Sequence, residues 1–368
     1  MDFAFSEEQE FLRRTARDWL DAKAPSEVVR RLMDDDLGHD PALWSAIADL
    51  GWQAMAIPEA YGGAGFGFLE QAVLLEEMGR ALFPSPYLGS AVLAAHAILG
   101  GGDEDQREAW LPGIASGETI ATVALGETGP TSTTVTAIRA GEGWVLDGEA
   151  RFVVDAATAD LVVVPATVPD GLGLFVVDVG ADGVGVESLP TLDQTRRLAH
   201  LRFVGVQVGP GEHLVAAPAG DVLERVVRLG SVALALEAVG GAGKVLETSV
   251  QYAKDRVQFG RPIGSFQAIK HLCADMLVAV ESATAAAYYA AWAAAEDDEE
   301  LAVVAPLAKA YCTEAYFQCA AANIQVHGGI GFTWEHDAHL HFKRAKSSEV
   351  LLGDATTQRL AVADRLGI

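Results

Sequence analysis

The spacing of apolar residues near the start of the chain predicts helices. Residues three and four positions apart share one face of a first helix: Phe11, Leu12, Thr15, Ala16, Trp19 and Leu20. Ser6 and Gln9 stand just ahead of this face with the spacing of a capping box. Turn-forming stretches then separate three further helical runs, at Pro41–Leu50, Gly67–Leu82 and Tyr87–Leu99. The first part of the chain is therefore predicted to be helical.

From Thr119 to Gly211 the pattern changes to short β-rich runs that alternate with turns. These runs are Thr122–Leu125, Thr134–Arg139, Trp144–Val154, Asp160–Ala166, Leu172–Val179 and Leu198–Val208. Between two of them, Gly141–Gly143 predicts a hairpin turn. Several short strands in one segment favour a small antiparallel barrel or sandwich.

Beyond Val222 the chain again has a helical pattern and is rich in alanine. One long helix carries a predicted buried stripe at Ile269, Leu272, Met276, Val280 and Ala283. Similar helical runs cover Leu223–Arg256, Leu301–Val326 and Ser347–Leu366. Four long helices with short connections favour a four-helix bundle.

Charge and cysteine content narrow the possible environments. With 26 Lys and Arg against 51 Asp and Glu, the net charge is −25, which disfavours nucleic acid and anionic membrane surfaces as partners. Three cysteines without zinc-like or CxxC spacing, and an N-terminus without an apolar signal segment, predict a soluble cytoplasmic protein. His336, His339 and His341 lie close together, but their spacing favours a helix face or interface over a metal site.

Two segments carry residues suited to binding a phosphorylated ligand. In the first, Arg256 stands at a helix end beside a glycine turn, where its guanidinium can bind a pyrophosphate through two hydrogen bonds, and Phe259 can pack against a ring. In the second, Gly328 and Gly329 end a helix, so that a ligand can approach bare backbone N–H groups. Each segment alone is equally typical of an ordinary helix terminus.

Together the motifs resemble those of the acyl-CoA dehydrogenase family. The resemblance rests on RxxFG with a following FQ, on QxxGGxGF, on the later QRL at Gln358–Leu360, and on the opening FSEEQ, and it extends over essentially the whole chain. It implies an N-terminal helical domain (1–118), a middle antiparallel β-barrel (119–221) and a C-terminal four-helix bundle (222–368). It also implies a tetramer with FAD at subunit interfaces, an acyl-CoA substrate, and an electron-transferring flavoprotein as acceptor. The cofactor-binding residues it implies are Arg256, Phe259, Gln267, Gln325, Gly328 and Gly329.

The chain departs from the family at the catalytic base. In the family a glutamate removes the α-proton of the thioester while hydride leaves the β-carbon for the flavin. The position of this glutamate aligns with Leu352, and the alternative position on an earlier helix aligns with Gly230. Neither residue can accept a proton, so no catalytic residue is predicted. Asp354 and Glu349 flank the base position and are the fallback candidates.

The β-rich segment departs from the family as well. The family's TEPGxGSD segment aligns with Gly126–Thr133, which keeps Glu127, Gly129 and Ser132. Its Trp-x-Thr flavin wall aligns with Phe152-Val153-Val154. Both threonine hydroxyls near the flavin ring are therefore missing.

The retained and missing residues indicate a heteromer. The chain keeps the residues that reach across to a neighbour's FAD and lacks those that receive the flavin ring. It thus resembles the base-lacking subunit of the actinobacterial α2β2 dehydrogenases that degrade sterol side chains, and the GFTWEHDAHL run (Gly331–Leu340) agrees with that group. Two alternatives stay open: a homotetrameric dehydrogenase with a displaced acid, Asp354 or Glu349, and a non-catalytic acyl-CoA-binding or structural protein.

Overall fold

The computed structural model describes residues 5–125 and 131–368, in the order helices, sheet, helices. Eleven α-helices are described: α1 Glu7–Lys23, α2 Ser26–Met33, α3 Pro41–Asp49, α4 Phe68–Ala81, α5 Ala95–Gly101, α6 Glu104–Ala115, α7 Ala219–Asp255, α8 Gln267–Ala295, α9 Leu301–His327, α10 Ala338–Val350 and α11 Ala355–Leu366. Ten strands are described: β1 Ala121–Val123, β2 Thr136–Ala140, β3 Gly143–Val154, β4 Leu161–Val168, β5 Gly171–Asp178, β6 Val184–Ser188, β7 Leu198–Val208, β8 His213–Leu214, β9 Val257–Gln258 and β10 Arg261–Pro262. The predicted fold class, with helical, sheet and helical regions in that order, is confirmed.

The chain forms two compact units that do not follow the sequence order of these regions. A helical unit combines residues 5–31, 68–83 and 231–368, and a sheet unit combines the described residues of 32–67 and 84–230. The first helical region therefore contributes to both units, since α1 and α4 belong with the C-terminal helices.

The first helix begins as its sequence predicts. The Ser6 hydroxyl accepts the N–H of Gln9, and the Gln9 side chain accepts the N–H of Ser6, which completes the capping box. Along its length α1 is joined to α4 by the ion pairs Arg13–Glu76 at 2.9 Å and Arg17–Glu77 at 2.6 Å. Local capping thus starts this helix, and packing on α4 places it in the helical unit.

Within the helical unit, α4 and α7 approach each other closely at two glycines. A Cβ at Gly240 would lie 1.8 Å from the Glu76 carbonyl oxygen, and one at Gly79 would lie 2.2 Å from the Glu237 carbonyl oxygen. No side chain fits at such distances, so this crossing requires glycine on both helices.

The stripe predicted on α8 is buried only along part of the helix. Met276, Val280 and Ala283 are buried, whereas Ile269 and Leu272 nearer the start are half-buried. The α7 helix is long and apolar enough to cross a membrane, but 83% of its apolar window is buried in the protein, as in the core helix of a globular domain.

The prediction of one helix over Ser347–Leu366 is wrong. The chain leaves helical geometry after Val350, and α11 begins only at Ala355. Leu352 and Gly353 between them have φ angles of +60° and +93°, in the left-handed region that a continuous helix does not contain. Apolar spacing alone does not reveal this break.

The sheet unit contains an eight-stranded, mostly antiparallel sheet. The strand order is β6-β7-β3-β2-β4-β5-β8, with β1 paired in parallel to β4. The predicted hairpin is confirmed, because β2 and β3 pair through Ala140 and Gly143 around Gly141 at φ +63°. Large side chains fill the sheet core, among them Trp144, Phe175 and Phe203.

The sheet also contains elements that the sequence pattern does not predict. The edge strand Val184–Ser188 is almost wholly exposed, so it lacks the alternation on which strand prediction depends. His213–Leu214 is only two residues long. The helical run predicted at Tyr87–Leu99 divides into a π-helix at Leu88–Ala94 and α5.

Candidate functional site

The predicted cofactor-binding residues lie on neighbouring helix ends of the helical unit. We call them the helix-end rim: Arg256, Phe259, Gln267, Gln325, Gly328 and Gly329. They come from the end of α7, the following hairpin, the start of α8 and the end of α9, and all six are exposed. The structure thus leaves each of them available to a ligand or a second chain.

The end of α7 and the hairpin after it present Arg256 and Phe259. The Arg256 backbone N–H donates to the Tyr252 carbonyl, and the Arg256 carbonyl accepts the N–H of Ile263 at 2.8 Å. The backbone of Arg256 is therefore bonded both to the last turn of α7 and to the far end of the hairpin. Its guanidinium has no ion-pair partner within the described parts of the chain. Phe259 is 91% exposed at φ +54°, a combination that is unfavourable for a bulky side chain unless something covers it.

Local charge around the hairpin is opposite in sign to that of the whole protein. Between positions 254 and 270 there are four cationic side chains and one carboxylate, namely Lys254, Arg256, Arg261 and Lys270 against Asp255. In a chain of net charge −25, this cluster offers a local attraction for a phosphate group that the overall field does not supply.

The glycines at the end of α9 form an open backbone surface. Gly328 has φ +64° and ψ −137°, a conformation that only glycine adopts readily. A Cβ added at Gly328 or Gly329 would meet no atom within 4 Å, so space lies directly over the backbone. Gly331 differs, because its Cβ would lie 2.8 Å from the Cβ of His327. The Gly328 N–H already donates to the Gln325 and Ile324 carbonyls, so the predicted bare N–H group is not found at this residue. The group that fits the pyrophosphate of FAD is the guanidinium of Arg256, beside this open glycine backbone.

A stack of three rings joins the two parts of the rim. Tyr252 on α7 and His336 each lie with their ring centroids 4.3 Å from that of His327 on α9. His327 donates from Nδ1 to the Asn323 carbonyl at 2.8 Å, and the Asn323 side chain accepts the Ser249 hydroxyl, also at 2.8 Å. Because Tyr252 precedes Arg256 by one helical turn and His327 precedes Gly328, this stack places the arginine near the glycines. Sequence reasoning missed it, since no periodicity marks a ring contact between distant helices.

The three clustered histidines have separate surroundings. His341 is fully buried and bonded to the Tyr316 hydroxyl at 2.8 Å, and burial lowers its pKa to about 3. His339 packs edge-on against Trp334 at 4.8 Å, while His336 faces His327. The three rings therefore do not converge on one point.

The aligned base position lies in the turn between α10 and α11, which we call the base turn (Leu351–Asp354). Lys309 on α9, which is fully buried, donates from Nζ to the Gly353 carbonyl at 2.7 Å and to the Glu349 carbonyl at 3.2 Å. Gln358 donates from Nε2 to the Leu352 carbonyl at 2.7 Å. These bonds stabilise a turn in which Leu352, half-buried, has a left-handed backbone.

The two fallback acids both make other interactions. Asp354 is the N-cap of α11 and accepts the N–H and the hydroxyl of Thr357 at 2.9 and 2.8 Å. These hydrogen bonds hold the pKa of Asp354 below its usual value, which makes it a weaker base. The Glu349 carboxylate lies 3.0 Å from Nζ of Lys346. Neither arrangement is that of a carboxylate prepared to accept a proton.

The residues aligned with the flavin wall do not offer a hydroxyl. Val153 and Val154 are buried in the sheet core, and the Val154 carbonyl accepts the Thr122 hydroxyl. Phe152, at a register shift in β3, is 55% exposed with φ +56°. Ser132 is half-buried, while Glu127 and Gly129 lie outside the described residues. The wall therefore lacks the hydrogen-bonding groups that would receive a flavin ring.

Comparison with known proteins agrees with this fold and this site. Residues 6–118 match the acyl-CoA dehydrogenase N-terminal domain, and residues 221–367 match the C-terminal domain. The chain is 36% identical to acyl-CoA dehydrogenase IpdE2 of Mycolicibacterium smegmatis, over 96% of this chain and 97% of that one.

Two solved structures share the fold over almost their whole length. The ChsE4–ChsE5 complex from Mycobacterium tuberculosis has a chain with a TM-score of 0.92 and 32% identity, covering 100% of this chain and 99% of that one. A variant of the Tcur3481–Tcur3483 steroid ACAD has a chain with a TM-score of 0.89 and 32% identity, covering 98% of each. The chain belongs to the acyl-CoA dehydrogenase family, whose members are FAD-dependent oxidoreductases acting on CH–CH bonds.

Proposed function

We propose that this chain is the base-lacking subunit of a heteromeric acyl-CoA dehydrogenase and that it completes the FAD site of a homologous, base-bearing partner in an α2β2 tetramer. One observation carries the proposal: the helix-end rim is open and locally cationic, whereas the base turn has Leu352 at the base position and the flavin wall lacks its hydroxyl groups. A chain that held and used its own flavin would need the base and the wall hydroxyl groups, whereas the rim serves the flavin of a neighbour.

The rim residues have distinct roles in this proposal. Arg256 would bind the pyrophosphate of FAD, the Gly328 and Gly329 backbone would approach it closely, and Phe259 would pack against the ligand or the partner. Gln267 and Gln325 would add hydrogen bonds at the two helix ends. The bound FAD supplies the hydride acceptor, and the partner supplies the base.

The base turn argues against chemistry within this chain. Leu352 cannot accept a proton, and the nearest acids are a helix cap and the partner of a lysine. A two-residue shift of the base would also move it by several ångström from the reacting carbon, roughly the scale at which positioning is lost. The homotetrameric alternative with Asp354 or Glu349 as base is therefore less well supported.

Substrate, acceptor and location follow from similarity. The similarity to the ChsE4–ChsE5 complex and to the Tcur3481–Tcur3483 steroid ACAD supports a steroid side-chain CoA thioester as substrate and an unlike partner subunit. An electron-transferring flavoprotein as acceptor and a cytoplasmic location are proposals from family resemblance. The domain boundaries 1–118, 119–221 and 222–368 are likewise proposed.

The decisive experiment measures flavin per chain. The chain is purified alone and after co-expression with a homologous chain that carries glutamate at the base position, and flavin absorbance is combined with native mass. We expect a flavin-poor chain alone and one FAD per pair of unlike chains in a mixed tetramer.

Two other outcomes would contradict the proposal. A lone tetramer with one FAD per chain that is reduced by acyl-CoA supports the homotetramer, and Asp354 or Glu349 is then the base to mutate. A chain that acquires no flavin under either condition supports a non-catalytic binding or structural role.

A further inference from the structure

His336 occupies a position at which only a neutral imidazole satisfies its surroundings. Its Nδ1 accepts the backbone N–H of Ala338, the first residue of α10, at 3.1 Å. That N–H is one of the free donors at a helix start, and the N-cap Asp337 makes no side-chain cap bond. His336 therefore performs the capping, and its Nδ1 must carry a lone pair to do so.

The other face of the same ring touches the turn that carries the diglycine. The His336 ring lies 4.3 Å from that of His327, with 46° between the planes. His327 must donate its Nδ1 proton to the Asn323 carbonyl, so this ring is anchored to α9. Gly328 and Gly329 follow directly, and the Cβ of His327 occupies the space beside Gly331. The stack thus connects the start of α10 to the backbone of the rim.

Charges around His336 oppose its protonation. From α2, Arg30 donates to Asp337 at 2.6 Å and to the Trp334 carbonyl at 2.7 Å. His327 lies on α9, and His339 and Lys343 lie on α10, whose positive end faces His336. The phenol of Tyr252, on α7, covers the far side of His327. Asp337 raises the pKa of His336, but its carboxylate already binds Arg30.

We propose that His336 is a positioning residue for the rim: as a neutral ring it caps α10 and stacks on His327, and its protonation releases the Gly328–Phe332 turn and weakens nucleotide binding there. The nucleotide part of this inference rests on the proposed function, whereas the effect on the turn does not.

The pH dependence follows from the same contacts. Burial, and then the neighbouring His327, hold the pKa of His336 below its usual value, and burial does the same for the pKa of His327. A histidine with a lowered pKa in the folded state stabilises the fold above the ordinary imidazole pKa of about 6.5. This contribution is lost as the pH falls through the folded-state pKa. The turn should therefore be ordered at neutral pH and loosen in mild acid.

Trp334 provides a direct readout of the turn. Its ring is 66% exposed, lies 4.8 Å from His339 and has Nζ of Lys343 at 4.3 Å from its centroid. The chain has seven tryptophans, so the Trp334 signal is the fluorescence difference between the full chain and its Trp334→Phe variant. We expect this difference to change in one step as the pH falls from 7.5 to 5.0.

Two substitutions distinguish the capping of α10 by His336 from the protonation of its ring. His336→Asn places an amide oxygen near the position of Nδ1 and cannot be protonated, so the fluorescence step should disappear. His336→Ala removes both the cap of α10 and the ring contact with His327. At every pH, this variant should show the Trp334 fluorescence difference that the unmodified chain shows in acid. His200→Asn, on β7 in the sheet unit, is the matched control and should leave the step unchanged.

The second measurement is FAD affinity in the co-expressed complex at the same pH values. We expect weaker FAD binding in acid for the unmodified chain and little pH dependence of FAD binding for His336→Asn. A step that persists in His336→Asn, or no step in the unmodified chain, overturns the role of His336. A complex without FAD at any pH overturns the proposed function, while the fluorescence result still decides the effect on the turn.

Discussion

The helix-end rim and the base turn lie in the same helical unit, and they have opposite characters. The rim is exposed, and a Cβ added at Gly328 or Gly329 would meet no atom within 4 Å. The base turn is stabilised from two helices by Lys309 and Gln358, and it presents a leucine where the family has its base. In the proposed function, the rim serves an external ligand, whereas the base turn serves the fold alone.

The proposed function thus separates the structure of the base turn from its chemistry. The strained backbone at Leu352 costs on the order of 1–3 kcal/mol in comparable sites, yet the hydrogen bonds that stabilise it remain. The turn therefore serves the fold by joining α10 to α11, whether or not a carboxylate is present. In the rim, by contrast, the side chains of Arg256 and Phe259 are exposed, as we expect of residues that bind a ligand.

The largest effect expected on the base turn is that of Lys309→Met. Removing the buried ammonium leaves the Gly353 and Glu349 carbonyls without this donor, and we expect a loss of about 3 kcal/mol in the free energy of unfolding. Lys346→Met is the control, because its partly exposed pair with Glu349 contributes less than about 1 kcal/mol. Urea denaturation of both variants measures the difference, and equal losses would show that Lys309 does not stabilise the turn.

On the rim, Arg256→Ala should weaken FAD binding and leave the free energy of unfolding almost unchanged. Loss of a charged hydrogen bond to phosphate predicts FAD binding weaker by about 2 kcal/mol in the mixed complex. Because the guanidinium is exposed, the free energy of unfolding of the chain should change by less than about 0.5 kcal/mol. Arg359→Ala, which breaks an exposed pair with Glu314, is the control for lost charge. Unchanged flavin affinity would show that Arg256 does not bind FAD.

Gly329→Ala tests whether a ligand approaches the bare backbone. The new Cβ meets no atom within 4 Å, so the chain alone should be as stable as before. A bound pyrophosphate close to this backbone would be displaced, and we expect roughly tenfold weaker FAD binding, or about 1.4 kcal/mol. Calorimetric unfolding and flavin titration together measure both effects. Flavin binding at full affinity would place the ligand elsewhere.

At the base turn, Leu352→Gly and Leu352→Ala isolate the backbone strain. Both variants lose the leucine side chain, but only glycine adopts φ +60° freely. We expect the glycine variant to be more stable than the alanine variant by about 1 kcal/mol, measured by urea denaturation. Equal stabilities would mean that the turn relaxes when the side chain is removed.

The smallest expected effect is that of Asp354→Asn. Asparagine is as good an N-cap as aspartate, so the stability at pH 7 should hardly change. Acyl-CoA-dependent flavin reduction by the mixed complex should also be unchanged, because the proposal assigns the base to the partner. A large fall in the reduction rate with the fold intact would make Asp354 the base and support the homotetrameric alternative.

Local signals in the sequence determined much of this protein. The capping box at Ser6, the alternation that marks β3 and β7, and the hairpin at Gly141 depend on neighbours a few residues apart, so their patterns predict them. The rim motifs were likewise readable, because helix ends and glycines are marked in the chain itself. The edge strand Val184–Ser188 was not predicted, because exposure on both of its faces removes the alternating pattern.

Only the tertiary structure decided the break at Leu352 and the contacts of His336. Apolar spacing continues through the base turn, and it does not reveal that Lys309, far away on α9, donates to a turn with a left-handed leucine. The stack of Tyr252, His327 and His336 likewise requires three separate segments to meet. Sequence periodicity reports which face of an element is buried, whereas hydrogen bonds and ring contacts between distant elements depend on how those elements pack.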